Sequence, residues 1–251
     1  MSDKPLAGKA ALVTGSARNI GRAIALALAE DGAAVMVHSH GDRAAAEAVA
    51  AEVRARGVAS AVALADVGRP EEADALVEST VSAFGRLDIL VSNAARRREK
   101  PVTEITYEEW REVLSVALDG AFLVARAAIP HIVAAGGGSI VTIGGSPSHM
   151  GTRNRAHVLA SKMGLVGLTR GMAAELGEHG INVNCVAPGQ IDTVRGASAG
   201  TRNAVTHSRP VARAGTPHEV AAMVRHLCRP EGAYVTGQTI HVNGGMLMAG
   251  A

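Results

Sequence analysis

The stretch Ala10-Ala-Leu-Val-Thr-Gly-Ser-Ala-Arg-Asn-Ile-Gly-Arg-Ala-Ile-Ala-Leu-Ala-Leu28 decides the fold. A short apolar run, Leu12 and Val13, meets Gly15, and a helical pattern begins near Ile20 and Gly21. The order is strand, tight turn, helix. A helix N-terminus leaving such a turn presents unpaired N–H groups and the positive end of its dipole, which suit a phosphate. Glycine lets the backbone approach a pyrophosphate with no Cβ between them. Gly15, Ser16, Arg18, Asn19, Ile20 and Gly21 are therefore expected to cradle a dinucleotide.

The rest of the chain repeats this alternation. Apolar strand-like runs fall at 10–14, 34–38, 60–65, 88–92, 139–143, 181–187 and 238–242, with helical patterns between most of them. Several helices carry start signals. Asp42 precedes an alanine-rich helix, Pro70 with Glu71 and Glu72 opens the next, and Thr106-x-x-Glu109 reads as a capping box. Thr216-Pro217-His218-Glu219 combines an N-cap, a proline at the first helical position and an acid two residues later. Strands that are apolar throughout, alternating with helices, indicate a parallel sheet covered on both faces. The expectation is one doubly wound α/β domain spanning residues 1–251.

Composition excludes several classes. No apolar run approaches the roughly 18 residues that a membrane span needs. Met1-Ser-Asp-Lys-Pro5 lacks a secretory h-region, so a cytoplasmic location is expected. Cys185 and Cys228 sit in apolar runs and read as buried thiols, with neither disulfide framework nor metal spacing. A net charge of +2 gives no case for nucleic acid.

Five motifs then follow one another along the chain: Thr14-Gly-Ser-Ala-Arg-Asn-Ile-Gly21, Asp66-Val67, Ser92-Asn-Ala-Ala95, Pro188-Gly-Gln-Ile-Asp-Thr193 and Thr236-Gly-Gln-Thr-Ile-His-Val-Asn-Gly-Gly245. In this order, and over essentially the whole chain, the sequence resembles the short-chain dehydrogenases/reductases. The resemblance implies a Rossmann-type, seven-stranded parallel sheet with NAD(P) across the carboxyl ends of the strands, where doubly wound sheets bind ligands. It implies that Gly15 and Gly21 bracket the pyrophosphate and that Asp66 and Val67 contact adenine. Asn93 and Ala94 would wall the adenosine-side ribose. Pro188 and Gly189 would lead to Ile191 and Thr193, which hold the nicotinamide carboxamide, and 190–216 would form the substrate loop. Asn19 stands where the family usually has a middle glycine. Asparagine tolerates the left-handed region, so the turn is expected to survive.

The end of the second strand selects between NAD and NADP. An acid there would accept both ribose hydroxyls and repel a 2′-phosphate. This chain reads Val35-Met-Val-His-Ser-His40, with Ser39 at the acid position. Ser39 and His40 can donate hydrogen bonds, while Arg18 and Arg43 can supply charge that matches phosphate geometry. His38-Ser-His40 is also similar to the second-strand end of pteridine reductases, which use NADP. NADP(H) is expected.

The catalytic pattern is where the chain departs from the family. Its core is a Tyr-x-x-x-Lys pair, a serine thirteen residues before the tyrosine and an asparagine on an earlier helix. Lys162 in Ala160-Ser-Lys-Met-Gly-Leu165 matches the lysine, but Val158, Gly145 and Ala117 occupy the other three positions. The chain has two tyrosines, Tyr107 and Tyr234, and neither can pair with Lys162 at helical spacing. A proton donor must come from elsewhere. His149 lies in Gly144-Gly-Ser-Pro-Ser-His149, beside Ser146 and Ser148, which could orient a substrate oxygen. His157 neighbours Val158 but turns about 100° away from the Lys162 face. Arg96-Arg-Arg-Glu-Lys100, with Arg153, Arg155 and Arg195, suggests a basic rim for an anionic substrate such as a carboxylate or a phosphopantetheine thioester.

Three readings stay open on the sequence. The first is an NADP(H)-dependent oxidoreductase that reduces a carbonyl, 3-oxoacyl-like or another, with a non-standard donor. Within it, reduction of a conjugated C=C is an alternative, because dienoyl-CoA reductases also lack the tyrosine and some carry histidine where His157 stands. The second is an NADP(H)-binding protein without turnover. The third is another reaction, such as elimination or isomerisation, that uses bound cofactor. By resemblance, a homotetramer forms through the helices around 107–134 and 156–178, whose Ala121, Ala125, Ala160, Gly164, Gly167 and Gly171 suit close packing.

Overall fold

The computed structural model describes residues 4–194 and 209–248. Seven strands form one parallel sheet in the order β3-β2-β1-β4-β5-β6-β7. They are β1 Ala10–Val13, β2 Ala34–Ser39, β3 Ser60–Leu64, β4 Ile89–Ser92, β5 Gly138–Ile143, β6 Ile181–Pro188 and β7 Thr239–Val242. Each lies within a residue or two of its apolar run in the sequence. The chain order reverses between β1 and β4, which opens a crevice at their carboxyl ends.

The described residues form eight α-helices: α1 Asn19–Glu30, α2 Arg43–Arg54, α3 Pro70–Phe84, α4 Tyr107–Leu114, α5 Gly120–Ala134, α6 Pro147–Met150, α7 Ala156–Leu176 and α8 Pro217–Cys228. One apolar layer joins α1, α2 and α8 to the sheet through Ile24, Leu28, Val49 and Val224; the other joins α3, α5 and α7 through Leu76, Val124, Ile132 and Leu176. Burial on both faces is why β1 and β4 are apolar at nearly every position.

The start signals act as read. Asp42 accepts from the Ala45 amide, and Thr106–Glu109 and Thr216–Glu219 form complete capping boxes. A π-helical segment, Ser115–Asp119, joins α4 to α5, so Tyr107–Ala134 is a continuous helix. Among the described residues it is the one helix long and apolar enough to cross a membrane, at a mean hydropathy of 1.6. It packs on α3 and α7, and Leu123, Val124, Ala128 and Ile132 belong to the core.

Candidate functional site

The glycine turn is built as the sequence implies. Gly15 has φ +63° and Asn19 φ +51°, so asparagine occupies the left-handed conformation that the missing glycine would have supplied. A Cβ on Gly21 would stand 2.3 Å from Gly15 O and 2.6 Å from Asn93 Nδ2, so only glycine fits. At the head of α1, Arg18 is the N-cap and offers no side-chain cap, and the first turn holds no acid. Whereas α2, α4 and α8 satisfy their first N–H groups internally, α1 leaves its own open to an anion. Arg18 is exposed beside them.

Asn93 holds the turn from the next strand. Its Nδ2 donates to Thr14 O at 2.9 Å and Gly15 O at 3.0 Å, while Thr14 Oγ1 accepts from the Asn93 and Ala94 amides. The Asn93 side chain is thus spent on the turn, and a ribose wall at this point is left to backbone and to Ala94. Ser39 lies at the end of β2, where its hydroxyl accepts from the Asp42 amide; His40 beside it is exposed. Among the described residues no acid occupies that strand end, and Arg43 makes only a long 3.9 Å pair with Glu47. Asp66 accepts from the Gly68 amide at 3.0 Å, and Val67 is buried against Gly120. At the far end of the crevice, Gly189 donates to Val242 O, and Ile191 bridges Gly215 ahead of Thr193. Of the expected substrate loop, 195–208 lie outside the described residues, and Arg195 with them.

Lys162 projects from α7 and donates to Ile143 O, at the end of β5, at 2.6 Å. Burial pushes its ammonium down to about 8, and the nearby Arg97 guanidinium acts in the same direction. Val158 lies one turn earlier on the same helix. Both tyrosines are exposed, Tyr107 at the start of α4 and Tyr234 before β7, so neither serves as an acid beside Lys162.

The expected substitutes separate in space. Ser146 is fully buried, and its hydroxyl donates to Ala187 O at 2.9 Å. It therefore accepts from His241 Nδ1, also at 2.9 Å. The Ser148 hydroxyl donates to Gly145 O. These two hydroxyls brace the loop, which corrects the expectation that they orient substrate. His149 lies edge-to-face against His241 with centroids 4.7 Å apart, and its Nε2 is buried with no protein partner. Burial, then the charge of Arg170, lowers the His149 pKa. His157 is buried with both ring nitrogens unpartnered, and the charges that reach it are Glu109 on α4 and Arg98, consistent with a ring turned from the Lys162 face.

The basic rim is largely neutralised. Arg96 and Arg98 pair with Glu112, Lys100 with Glu109, and Arg155 with Glu99. The Lys100 amide also donates to Asn154 O at 2.7 Å, tying the segment after β4 to the one before α7. The run reads as basic in the sequence because its acids lie on α4. Arg97 alone of this run acts on Lys162.

Two histidines have ties beyond those the sequence suggests. His241 sits in a strand motif with nothing to mark its tie to Ser146. His38 does carry a signal, as an imidazole inside an otherwise apolar strand.

Over residues 15–247 the chain matches the family described as enoyl-(acyl carrier protein) reductase. It is 40% identical over 242 residues to the 3-oxoacyl-[acyl-carrier-protein] reductase FabG of Staphylococcus aureus, covering 96% of this chain and 98% of that one. The 3-oxoacyl-[acyl-carrier-protein] reductase of Synechocystis is 38% identical, with 97% and 98% covered. Among solved structures, acetoin dehydrogenase from Enterobacter cloacae superposes with a TM-score of 0.87 at 37% identity, covering 95% of each chain. A dehydrogenase/reductase from Sinorhizobium meliloti 1021 gives 0.90 at 35%, covering 98% of each.

Proposed function

The chain belongs to the short-chain dehydrogenase/reductase family of oxidoreductases, and we propose that it is an NADP(H)-dependent reductase of a carbonyl group. In this reading the substrate is 3-oxoacyl-like or another anionic carbonyl compound, and His149 gives the proton that the family takes from tyrosine. Lys162 carries the reading. A module that held only the adenosine half of a cofactor would need no lysine anchored on β5 a turn beyond the missing tyrosine. Its charge and that of Arg97 favour a substrate bearing a carboxylate or a phosphate.

NADP(H) rather than NAD(H) is supported by Ser39 and His40 in place of an acid and by exposed Arg18. The cofactor supplies hydride, and the residues position it. His149 is neutral at pH 7 because its pKa is lowered, and a neutral imidazole N–H can hydrogen-bond a developing alkoxide.

Reduction of a conjugated C=C in a thioester is the second reading, favoured by the description of the matching family. The experiment is NADPH oxidation against 3-oxoacyl thioesters, enoyl thioesters and small diketones, with Lys162→Ala and His149→Ala beside wild type. Carbonyl turnover lost in both variants supports the proposal. Turnover confined to enoyl thioesters selects the second reading, and tight NADPH binding with no turnover on any panel leaves a cofactor-binding protein.

The proposed assembly is a homotetramer through α5 and α7. Phe122, Val133 and Met163 are exposed there, and a Cβ on Gly167 or Gly171 would meet nothing. Gly164 is used within the chain, packed on Leu118. A monomer by light scattering would overturn the assembly.

A further inference from the structure

We propose that His38 is a positioning residue for the cofactor turn: its neutral imidazole holds the Gly15 amide from within the sheet, and the turn accepts a dinucleotide only while the ring is unprotonated. This rests on the reading of residues 15–21 as the pyrophosphate turn.

Four hydrogen bonds tie His38 to the turn and to Ala65, the residue after β3. Gly15 N donates to His38 Nδ1 at 2.9 Å, Ser16 N to His38 O at 2.9 Å, and His38 N to Ser16 Oγ at 3.0 Å. The other ring nitrogen, Nε2, lies 3.0 Å from Ala65 O. The ring is 2% exposed. These contacts assign the tautomer. An amide N–H occupies the Nδ1 lone pair, so the proton sits on Nε2 and is given to Ala65 O. A second proton on Nδ1 would set N–H against N–H in a site closed to water, and the turn would have to leave the ring.

The charged groups around the ring work in both directions. Burial and His40, on the same strand, disfavour its charged form, while Asp66 beyond β3 favours it. Arg18, the charged residue of the turn, is exposed. Gly15 is at φ +63°, a conformation that a glycine leaves readily once its amide is released. His38 reaches neither substrate nor the reacting atoms; it acts through Gly15.

The test is titration of the full-length protein with NADPH and with NADH, followed by cofactor fluorescence across about pH 5 to 8. His38→Asn keeps an acceptor near the Nδ1 position and cannot gain a proton. His38→Leu removes the acceptor. Expected are wild-type affinity that falls about tenfold per pH unit below the ring's own pKa, and a His38→Asn profile that lacks this loss. Ionisation of the NADPH 2′-phosphate is common to both proteins and cancels in the comparison. His38→Leu should bind about tenfold more weakly at every pH.

Identical acid profiles in wild type and His38→Asn overturn the proposal, as does wild-type affinity in His38→Leu. Wild type that binds neither NADPH nor NADH overturns the cofactor reading of the turn, and this proposal with it.

Discussion

Lys162 Nζ reaches the main-chain oxygen of Ile143 at 2.6 Å, so the one side chain that matches the family's catalytic set is seated on the end of β5 by the fold itself. The family's tyrosine, serine and asparagine are replaced around it, yet the lysine keeps its place on the helix.

The position of its titration gives the first prediction. Burial, reinforced by Arg97, sets the ammonium at about 8, so the charged form prevails below that pH and is lost as pH rises through it. NADPH-dependent kcat/KM should decline through about pH 8, and Lys162→Arg should flatten that limb. The folded value lies below the ordinary one, so the charge costs stability at neutral pH and the cost fades as pH climbs toward 10.5. Lys162→Met should therefore lose turnover while melting no more than about 1 kcal/mol below wild type at pH 7. A much larger loss of Tm would make the lysine a structural residue.

Val158→Tyr puts a phenol one turn before Lys162. The expected result is a gain in carbonyl reduction of about tenfold or more, measured as NADPH oxidation, with a further gain on adding Gly145→Ser. Activity that stays at the wild-type level in both variants would mean that the pocket no longer places a carbonyl near α7.

Gly21→Ala should be severe for its size. The new Cβ meets Gly15 O at 2.3 Å and Asn93 Nδ2 at 2.6 Å, and both are held in the clamp between β1 and β4. Overpacking of this kind costs about 1–3 kcal/mol. Thermal melts should show that loss, and NADPH titration an affinity at least about tenfold weaker. Unchanged binding would show that the turn can shift without consequence.

Asp31 is 2% exposed and is gripped by Arg225 and Arg229. Burial alone would raise its pKa, but the guanidinium groups of Arg229 and Arg225 more than offset that and hold it below the usual carboxylate value. Its contribution to stability is therefore present above about pH 4 and is lost as pH falls through the lowered folded value. Asp31→Asn should cost about 2–3 kcal/mol at pH 7, less than for a fully buried pair because both arginines are partly exposed. Calorimetry at pH 7 and near pH 3 checks it: the gap between variant and wild type should narrow in acid.

Strand runs, helix caps and the glycine turn were legible in the sequence because each depends on residues close together in the chain. Asp42, Thr106 and Thr216 cap the helices that follow them. Position in the fold was legible where a motif lies on one strand end, as Asp66-Val67 does after β3. The site was not legible where partners are distant. Arg96, Arg98 and Lys100 look like free cations until the fold brings in Glu109 and Glu112 from α4. Ser146 looks like a substrate ligand until His241, 95 residues on, takes its hydroxyl. Asn93 spends its side-chain amide on Thr14 and Gly15, 79 and 78 residues before it, a tie that no local motif announces.

The same grip of Asp31 bears on how the chain assembles. Its bonds to Arg225 and Arg229 close loops of 194 and 198 residues, and α8 packs directly on α1. Loops of that length form late, because their closure entropy is recovered only when most of the sheet is in place. During synthesis the first βα unit emerges long before its final partner, so Ile24 and Leu28 wait for α8 while residues 29–216 are made. The half that carries the glycine turn thus depends, for its last covering layer, on α8.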